Sequence, residues 1–179
     1  MKSRIIKLVS SAAVVFACMC LFSTPTYAQQ EKGDKSVQLL GSFLIGFGEE
    51  DIKQGTVVAN LGYFATRNHE VGVGVILLVQ GGAGTDTTTL AGPNGYWRYN
   101  FGAAGAKSVP YMGVEGGGIF GSDDLKVGFV RPHAGFKYYF KRNVAFDLNV
   151  GYIRGFATFS GESGGANLVD TRIGLSFVF

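Results

Sequence analysis

The chain has 179 residues, of which 46% are hydrophobic, and 16 basic against 13 acidic side chains give a formal net charge of +3. Three of the basic residues, Lys2, Arg4 and Lys7, lie at the amino terminus without any acidic residue beside them, so the rest of the chain is balanced. A balanced chain lacks the basic excess that neutralises phosphates, which argues against a nucleic-acid partner. Its length suits a single domain.

The amino terminus has the pattern of a secretory signal peptide. An apolar run follows the basic residues and ends at Phe22, and Thr26-Tyr27-Ala28 then provides small residues three and one before a cleavage point. The apolar run is too short to be a membrane span. We therefore expect residues 1–28 to be removed and the mature chain to begin at Gln29, with residues 29–36 as a short periplasmic lead.

Both cysteines, Cys18 and Cys20, lie in the segment that is predicted to be removed. The mature chain would then contain neither a disulfide nor a thiolate nucleophile. The stretch Val15-Phe16-Ala17-Cys18 loosely resembles a lipoprotein cleavage site, although Phe16 fits that pattern badly. Acylation at Cys18 therefore stands as the alternative to cleavage after Ala28.

From residue 37 onward, apolar and polar residues alternate in eight segments, as they do in β-strands whose two faces meet different environments. In the last segment, 170–179, the apolar residues Ile173, Leu175, Phe177 and Phe179 alternate with small or charged ones. The seven earlier segments span residues 37–47, 57–64, 70–80, 97–104, 112–120, 130–140 and 144–152. The count is even, as the strand number of a bacterial transmembrane barrel should be.

Polar and glycine-rich stretches separate the segments. The longest, 81–95, is predicted to be a loop, and 161–165 is predicted to be the loop before the last strand. These connections, with Glu49-Glu50-Asp51 and Ser122-Asp123-Asp124, alternate with tight turns. Such alternation is typical of a transmembrane barrel that has tight periplasmic turns, longer outer loops and both termini in the periplasm.

One face of the segments carries the charged residues, and the other is almost free of charge until Arg154. The charged face holds four cations and four anions, with one histidine among them. These nine residues form a predicted lumen charge network: Glu70, Arg98, Glu115, Arg131, His133, Lys137, Asp147, Asp170 and Arg172. Since buried charges must be paired, equal numbers of both signs on one face indicate a narrow interior.

Aromatic residues on the apolar face cluster near the segment ends. Those predicted at the outer rim are Trp97, Tyr152, Phe47 and Phe120, and those predicted at the inner rim are Tyr63, Phe136, Tyr138, Phe140, Phe177 and Phe179. Two aromatic belts are typical of a barrel in a lipid bilayer. A soluble eight-stranded barrel would instead turn its apolar face inward. The sequence therefore predicts an all-β fold, an eight-stranded antiparallel up-and-down transmembrane β-barrel over residues 37–179.

The mature chain resembles the small eight-stranded bacterial outer-membrane β-barrel proteins of the OmpA-barrel and OmpX/Ail type. The residues that carry the resemblance are Val109-Pro110-Tyr111-Met112-Gly113, Gly135-Phe136-Lys137-Tyr138-Tyr139-Phe140 and the terminal Phe179. The resemblance implies a place in the outer membrane of a Gram-negative bacterium, in contact with its lipid and lipopolysaccharide. It also implies that Phe179, with Phe177 and Leu175, is the assembly signal read by the barrel-insertion machinery. We expect a monomer.

Three functions stay open at this point. The leading one is a non-enzymatic structural or surface-interaction barrel with a plugged lumen, because eight strands leave room only for side chains. A narrow passive pore for small solutes is the first alternative, and a surface-lipid-modifying enzyme is the second. His133, with Glu115 and Asp147 nearby in strand order, could be drawn as a catalytic base, but it faces the lumen and has no serine close in sequence.

No cofactor or metal site is predicted, since two histidines without cysteine do not provide a ligand set. The acidic stretches 49–51 and 123–124 are interpreted as solvated loop charge. Arg154 either contacts lipopolysaccharide phosphate from the rim or extends its charged end towards water.

Overall fold

A computed structural model describes residues 30–45, 53–82, 85–102, 106–120, 126–159 and 162–179. Eight antiparallel strands form a closed barrel in which each strand pairs with its neighbours in the chain and β8 pairs with β1. The strands are β1 (Lys35–Ile45), β2 (Lys53–Phe64), β3 (His69–Gly82), β4 (Thr85–Asn100), β5 (Ser108–Phe120), β6 (Lys126–Lys141), β7 (Val144–Phe159) and β8 (Glu162–Val178). The predicted eight-stranded up-and-down barrel is confirmed.

The first and last strands close the barrel at a seam that includes the final residue. The backbone N–H of Lys35 donates to the carbonyl of Phe179 at 2.9 Å, and the N–H of Phe179 donates to the carbonyl of Lys35 at 3.0 Å. The ladder continues from Ser36 opposite Val178 to Gly41 opposite Ile173. β1 therefore begins where β8 ends, and we refer to this end of the barrel as the terminal end and to the other as the distal end.

The residues before β1 fold against the terminal end. The N–H of Gly33 donates to the carbonyl of Phe64 at 2.9 Å. The side-chain amide of Gln30 donates to the hydroxyl of Tyr139 at 2.5 Å, and both side chains are buried. The stretch predicted as a lead is therefore packed on the barrel from Gln30, and its last residues, from Lys35, already belong to β1.

The prediction of a loop over residues 81–95 is wrong. β3 continues to Gly82 and β4 starts at Thr85, so that most of this stretch is strand. In the ladder, Leu78 lies opposite Leu90 and Val79 opposite Thr89. The consecutive threonines of residues 87–89 are β-branched and favour an extended backbone, and their pairing with β3 outweighs the neighbouring glycines.

The loop predicted over residues 161–165 is also wrong, because β8 begins at Glu162 and pairs Gly165 with Phe156. The β3–β4 and β7–β8 connections therefore span only residues 83–84 and 160–161, and the predicted alternation of longer and shorter connections fails there. The residues lie instead in long strands, of 16 residues in β4, β6 and β7 and 17 in β8. These strands exceed the roughly 9–11 residues that a tilted strand needs to cross a bilayer.

The two faces of the barrel wall reverse the arrangement of a soluble protein. On β3, five alternate residues point outward and are 40–64% exposed: Val71, Val73, Val75, Leu77 and Val79. Soluble monomers rarely expose a contiguous apolar surface of this kind, whereas lipid solvates it. Within the described residues, no helix is long and apolar enough to cross a membrane.

Candidate functional site

The lumen contains all nine side chains of the predicted charge network, each at most 5% exposed. They come from β3 to β8, and the alternation of each strand directs them inward. Inward-facing glycines leave room for them. At Gly151, for example, an added Cβ would collide with the guanidinium of Arg131. Three layers of inward-facing side chains follow one another from the terminal end to the distal end.

The layer at the terminal end is apolar. Five buried residues at the ends of five strands pack together there: Phe64, Val109, Tyr139, Ala145 and Val178. We call them the terminal layer. Their contact places hydrocarbon across the lumen just inside the end where β1 begins and β8 ends. On the side of the next layer, the ammonium group of Lys137 lies 5.6 Å from the centre of the Phe64 ring.

The second layer is polar, and one of its centres is the carboxylate of Glu70. Nζ of Lys137 lies 2.7 Å from Oε2 of Glu70, and both side chains are fully buried. Ser36, Gln38 and Tyr96 donate to Oε1 of the same carboxylate at 2.7, 3.1 and 3.1 Å. Four donors from three other strands therefore replace the water that this buried charge has lost.

The other centre of the polar layer is a closed ring of two arginines and two acids, which we call the Arg–acid ring. Arg131 contacts Asp170 at 2.6 Å and Glu115 at 3.6 Å. Arg172 contacts the same two carboxylates, each at 2.8 Å. Each arginine thus touches both acids, so loss of one arginine would leave both carboxylates in contact with the other.

Arg98 has no salt bridge within the described residues, although the balance of charges predicted a partner for it. Its Nε donates to Nε2 of His133 at 3.2 Å, and its Nη1 donates to Oε1 of Gln38. Its Cζ lies 4.3 Å from the centre of the Tyr96 ring and 5.2 Å from that of Tyr111. Aromatic faces and neutral acceptors therefore stabilise this cation.

Asp147 also has no salt bridge in the described part of the chain. The hydroxyl of Tyr111 donates to its Oδ1 at 2.5 Å, and Oγ of Ser176 donates to its Oδ2 at 3.0 Å. Hydroxyl groups thus satisfy both oxygens of this carboxylate. Of the four cations and four anions of the network, those of the Lys137–Glu70 pair and the Arg–acid ring form salt bridges, whereas Arg98 and Asp147 have neutral hydrogen-bond partners.

His133 has both ring nitrogens occupied. Nε2 accepts the hydrogen bond from Arg98, and Nδ1 lies 3.3 Å from the backbone carbonyl of Arg131. A general base needs a nitrogen that is free to accept a proton from the reacting group. In this arrangement the accepting nitrogen already binds an arginine. Among the described residues, no His, Cys, Asp and Glu side chains are grouped as a metal site would require.

The third layer, towards the distal end, is mainly apolar and surrounds a cavity of about 370 Å³, which we call the distal chamber. Ser42, Gln54 and Thr56 of β1 and β2 form the polar side of its lining. Its apolar wall comes from β3 to β8 and includes Ile76, Leu90, Ile119, Phe129, Ile153 and Leu168. Asp170 and Arg172 of the Arg–acid ring also line it, so the polar layer forms its floor.

The distal chamber was not predicted, because the predictions for the inward face rested on its charged residues alone. A signal was present: residues 75–79, Val-Ile-Leu-Leu-Val, are apolar at five consecutive positions. Such a run predicts a strand that is apolar on both faces. In the structure, Ile76 and Leu78 point into the distal chamber while their neighbours in the run point outward.

Comparison with known proteins agrees with this architecture. The sequence matches no family model and no curated protein. The crystal structure of the N-terminal β-barrel domain of Pseudomonas aeruginosa OprF matches with a TM-score of 0.50 and 19% identity, over 84% of this chain and 100% of that chain. The outer membrane protein OprG of the same organism matches with a TM-score of 0.50 and 13% identity, over 84% and 97%. This chain has the fold of the small outer-membrane β-barrels.

The aromatic residues of this outer-membrane barrel differ in part from the predicted belts. Nε1 of Trp97 donates to Nδ1 of His69 at 3.3 Å. His69 is the first residue of β3, after the turn at the terminal end. The prediction of Trp97 at the outer rim is therefore wrong, because β4 begins at Thr85 rather than near residue 97. Tyr152 lies about midway along β7, since that strand continues to Phe159.

Other aromatic residues of the predicted belts lie near the ends of their strands. Tyr63 is next to last in β2, and three more lie in the last six residues of β6 at the terminal end: Phe136, Tyr138 and Phe140. Phe120 ends β5 at the distal end and is exposed. Phe47 lies outside the described residues, as do the acidic stretches 49–51 and 123–124.

Arg154 lies on the exterior of the barrel, where its Nη1 donates to Oδ1 of Asn167 at 2.8 Å. Its Cζ lies 5.8 Å from the centre of the Phe156 ring. The hydrogen bond and the ring contact thus hold a cation on an otherwise apolar face, near the distal ends of β7 and β8.

Proposed function

We propose that this protein is an integral outer-membrane barrel with a plugged lumen and a non-enzymatic structural or surface-interaction role. The observation that carries the proposal is the filling of the lumen by side chains from facing strands between the terminal end and the distal chamber. Lys137 of β6 reaches Glu70 of β3, and the Arg–acid ring joins β5, β6 and β8. With the terminal layer below them, these buried groups occupy the cross-section of the lumen, which supports a plug.

The surroundings that we propose are outer-membrane lipid and lipopolysaccharide, with both termini in the periplasm and the protein as a monomer. The apolar exterior supports contact with outer-membrane lipid. The long strands at the distal end support termini in the periplasm, because outer-membrane barrels project further on the outer side of the membrane. Arg154 near the distal ends of β7 and β8 suits the phosphate groups of lipopolysaccharide.

A planar-bilayer recording tests the plugged lumen. We expect the refolded protein to insert without producing a steady ion current, because the buried ion pairs and the terminal layer block the lumen. A large porin added under the same conditions provides the positive control. A reproducible single-channel conductance would contradict the plug and favour the narrow pore for small solutes.

A second experiment tests the enzyme alternative: a mass shift of lipid A after expression of the protein would favour the surface-lipid-modifying enzyme.

We also propose that Phe179, with Phe177 and Leu175, is the assembly signal for the barrel-insertion machinery. The Phe179 side chain is 67% exposed on the exterior, while its backbone pairs with Lys35 at the seam. The aromatic ring is thus presented outward at the end of the closing strand. In this position the Phe179 ring would be accessible to the insertion machinery before β8 pairs with β1.

Deleting Phe179 is expected to lower the level of the protein in the outer membrane sharply, while the purified variant still refolds into detergent. Quantitative blotting of membrane fractions measures the first effect, and the shift between boiled and unboiled samples on a gel measures the second. Phe120→Ala, which removes a similarly exposed exterior ring from the distal end, is the matched control. Equal outer-membrane levels for the two variants would show that Phe179 is only one more lipid-facing residue.

A further inference from the structure

We propose that the distal chamber is a binding site for one small, uncharged apolar molecule, a function beyond the structural role of the barrel. The proposal rests on the chemistry of the wall, on the volume that it encloses and on the polar floor that closes it. None of these features is needed for a barrel that only spans the membrane.

The wall of the distal chamber is unusual for the inside of an outer-membrane barrel, which is polar where water fills it. At the distal end, five strands from β3 to β7 direct branched apolar or aromatic side chains into the chamber: Ile76, Leu90, Ile119, Phe129 and Ile153. Gly155 also lines it, and the smaller polar side of the lining consists of Ser42, Gln54 and Thr56 of β1 and β2. Nearer the terminal end, the same strands carry the charged and amide side chains of the polar layer inward. The change from polar to apolar residues thus occurs on several strands at one level of the barrel.

Apolar side chains that face a water-filled cavity lack the stabilisation that burial provides, which is about 25 cal/mol of free energy for each Å² of apolar surface removed from water. Part of this wall is already buried, since Ile76 and Phe129 pack with Leu40 and Val58. The rest of the wall encloses the cavity of about 370 Å³ instead of closing on itself. A bound apolar molecule would cover this remaining surface, and the volume lies within the range of roughly 300–1,000 Å³ for small-molecule sites.

The floor determines how far such a molecule can enter. Asp170 and Arg172 line the chamber while they bind each other and the rest of the Arg–acid ring. Their charges are satisfied by one another, so they offer an apolar molecule no compensation for passing between them. The molecule would therefore bind above the ring, against the apolar wall, with at most a small polar group directed at the floor.

The chamber contains isoleucines that make the binding directly measurable. Ile76, Ile119 and Ile153 line it, whereas Ile173 is half exposed on the exterior of β8. We would refold the full mature chain, with isoleucine methyl groups protonated and the remainder deuterated, into bilayer discs of deuterated lipid. Toluene is the probe, and intermolecular nuclear Overhauser effects from toluene to each methyl group are followed during a titration.

The expected result is a nuclear Overhauser effect that saturates at the methyl groups of the three chamber isoleucines. At Ile173 the effect should instead rise in proportion to the toluene dissolved in the lipid. Ile153→Trp fills the chamber and should weaken the saturable binding by at least about tenfold, the equivalent of 1.4 kcal/mol. Val150→Trp is the matched control, because it adds the same ring to the exterior of the same strand and should leave the affinity unchanged.

The gel shift between boiled and unboiled samples verifies that each variant folds, and Leu90→Trp fills the chamber from β4 if Ile153→Trp does not fold. The proposal is overturned if the chamber methyl groups show no contact with toluene. It is also overturned if their signals rise in parallel with that of Ile173, or if a folded chamber-filling variant binds toluene as the wild type does.

Discussion

Replacing Lys137 with methionine is expected to destabilise the folded barrel by about 3–5 kcal/mol, the usual cost of leaving a buried charge without its partner. Lys137 is the cation that contacts Glu70, and neither side chain has any exposure to solvent. The three neutral donors to Glu70 would remain, but they cannot replace a full positive charge. Urea unfolding in lipid vesicles, followed by the fluorescence of the single tryptophan, Trp97, measures the change.

A double-mutant cycle separates the lost ion pair from other effects of the substitution. Combining Lys137→Met with Glu70→Gln removes both charges, so the double variant should lose clearly less stability than the sum of the single variants. Arg172→Met is a second comparison. It should cost less than Lys137→Met, because Arg131 continues to contact both acids of the ring. An unchanged urea midpoint for Lys137→Met would show that this side chain reaches water and does not plug the lumen.

The second large effect is expected at the seam, where Gly174→Ala should prevent β1 and β8 from closing the barrel in its present register. Gly174 lies opposite Leu40, and an added Cβ would collide with the backbone of Leu39 and Leu40. Backbone atoms cannot rotate away as a flexible side chain could. The loss should therefore exceed the roughly 1–3 kcal/mol that overpacking of side chains usually costs.

The shift between boiled and unboiled samples, with the refolding yield, measures closure of the barrel. Gly41→Ala is the matched control, since Gly41 belongs to the same seam opposite Ile173 but its added Cβ would meet only the carbonyl oxygen of Thr56 at 3.8 Å. That contact is an ordinary one. If Gly174→Ala folds as completely as Gly41→Ala, the seam has a register other than the one described here.

The polar partners within the lumen could not be identified from the sequence, because ion pairs across a barrel depend on strand register. Asp147, Asp170 and Glu115 all face inward, so the face pattern alone makes each an equally possible partner of Arg172. The ladders place Asp147 opposite Lys137, nearer the terminal end, and bring Glu115 and Asp170 within reach of Arg172. A shift of two residues in any ladder would preserve every face and still change these partners.

Strand ends were the least predictable part of the fold. The glycines and threonines of residues 81–95 have the composition of a loop, but pairing with β3 satisfies their backbone groups as strand. Local composition cannot indicate whether a partner strand is long enough to continue the ladder. This error placed Trp97 at the wrong end of the barrel. Trp97 is the first residue of the predicted segment 97–104, but it lies near the end of β4, which begins at Thr85.

The sequence by itself determined the class of fold and the two faces of its wall. Successive side chains of a strand point to opposite sides whatever the strand pairs with, so parity alone placed Arg98 inside and Val73 outside. Only the tertiary structure decided what the inward residues form together. Closure of the seam brings the apolar residues of β3 to β8 around one cavity and the charges into one layer, because it sets distances between strands that lie far apart in the chain.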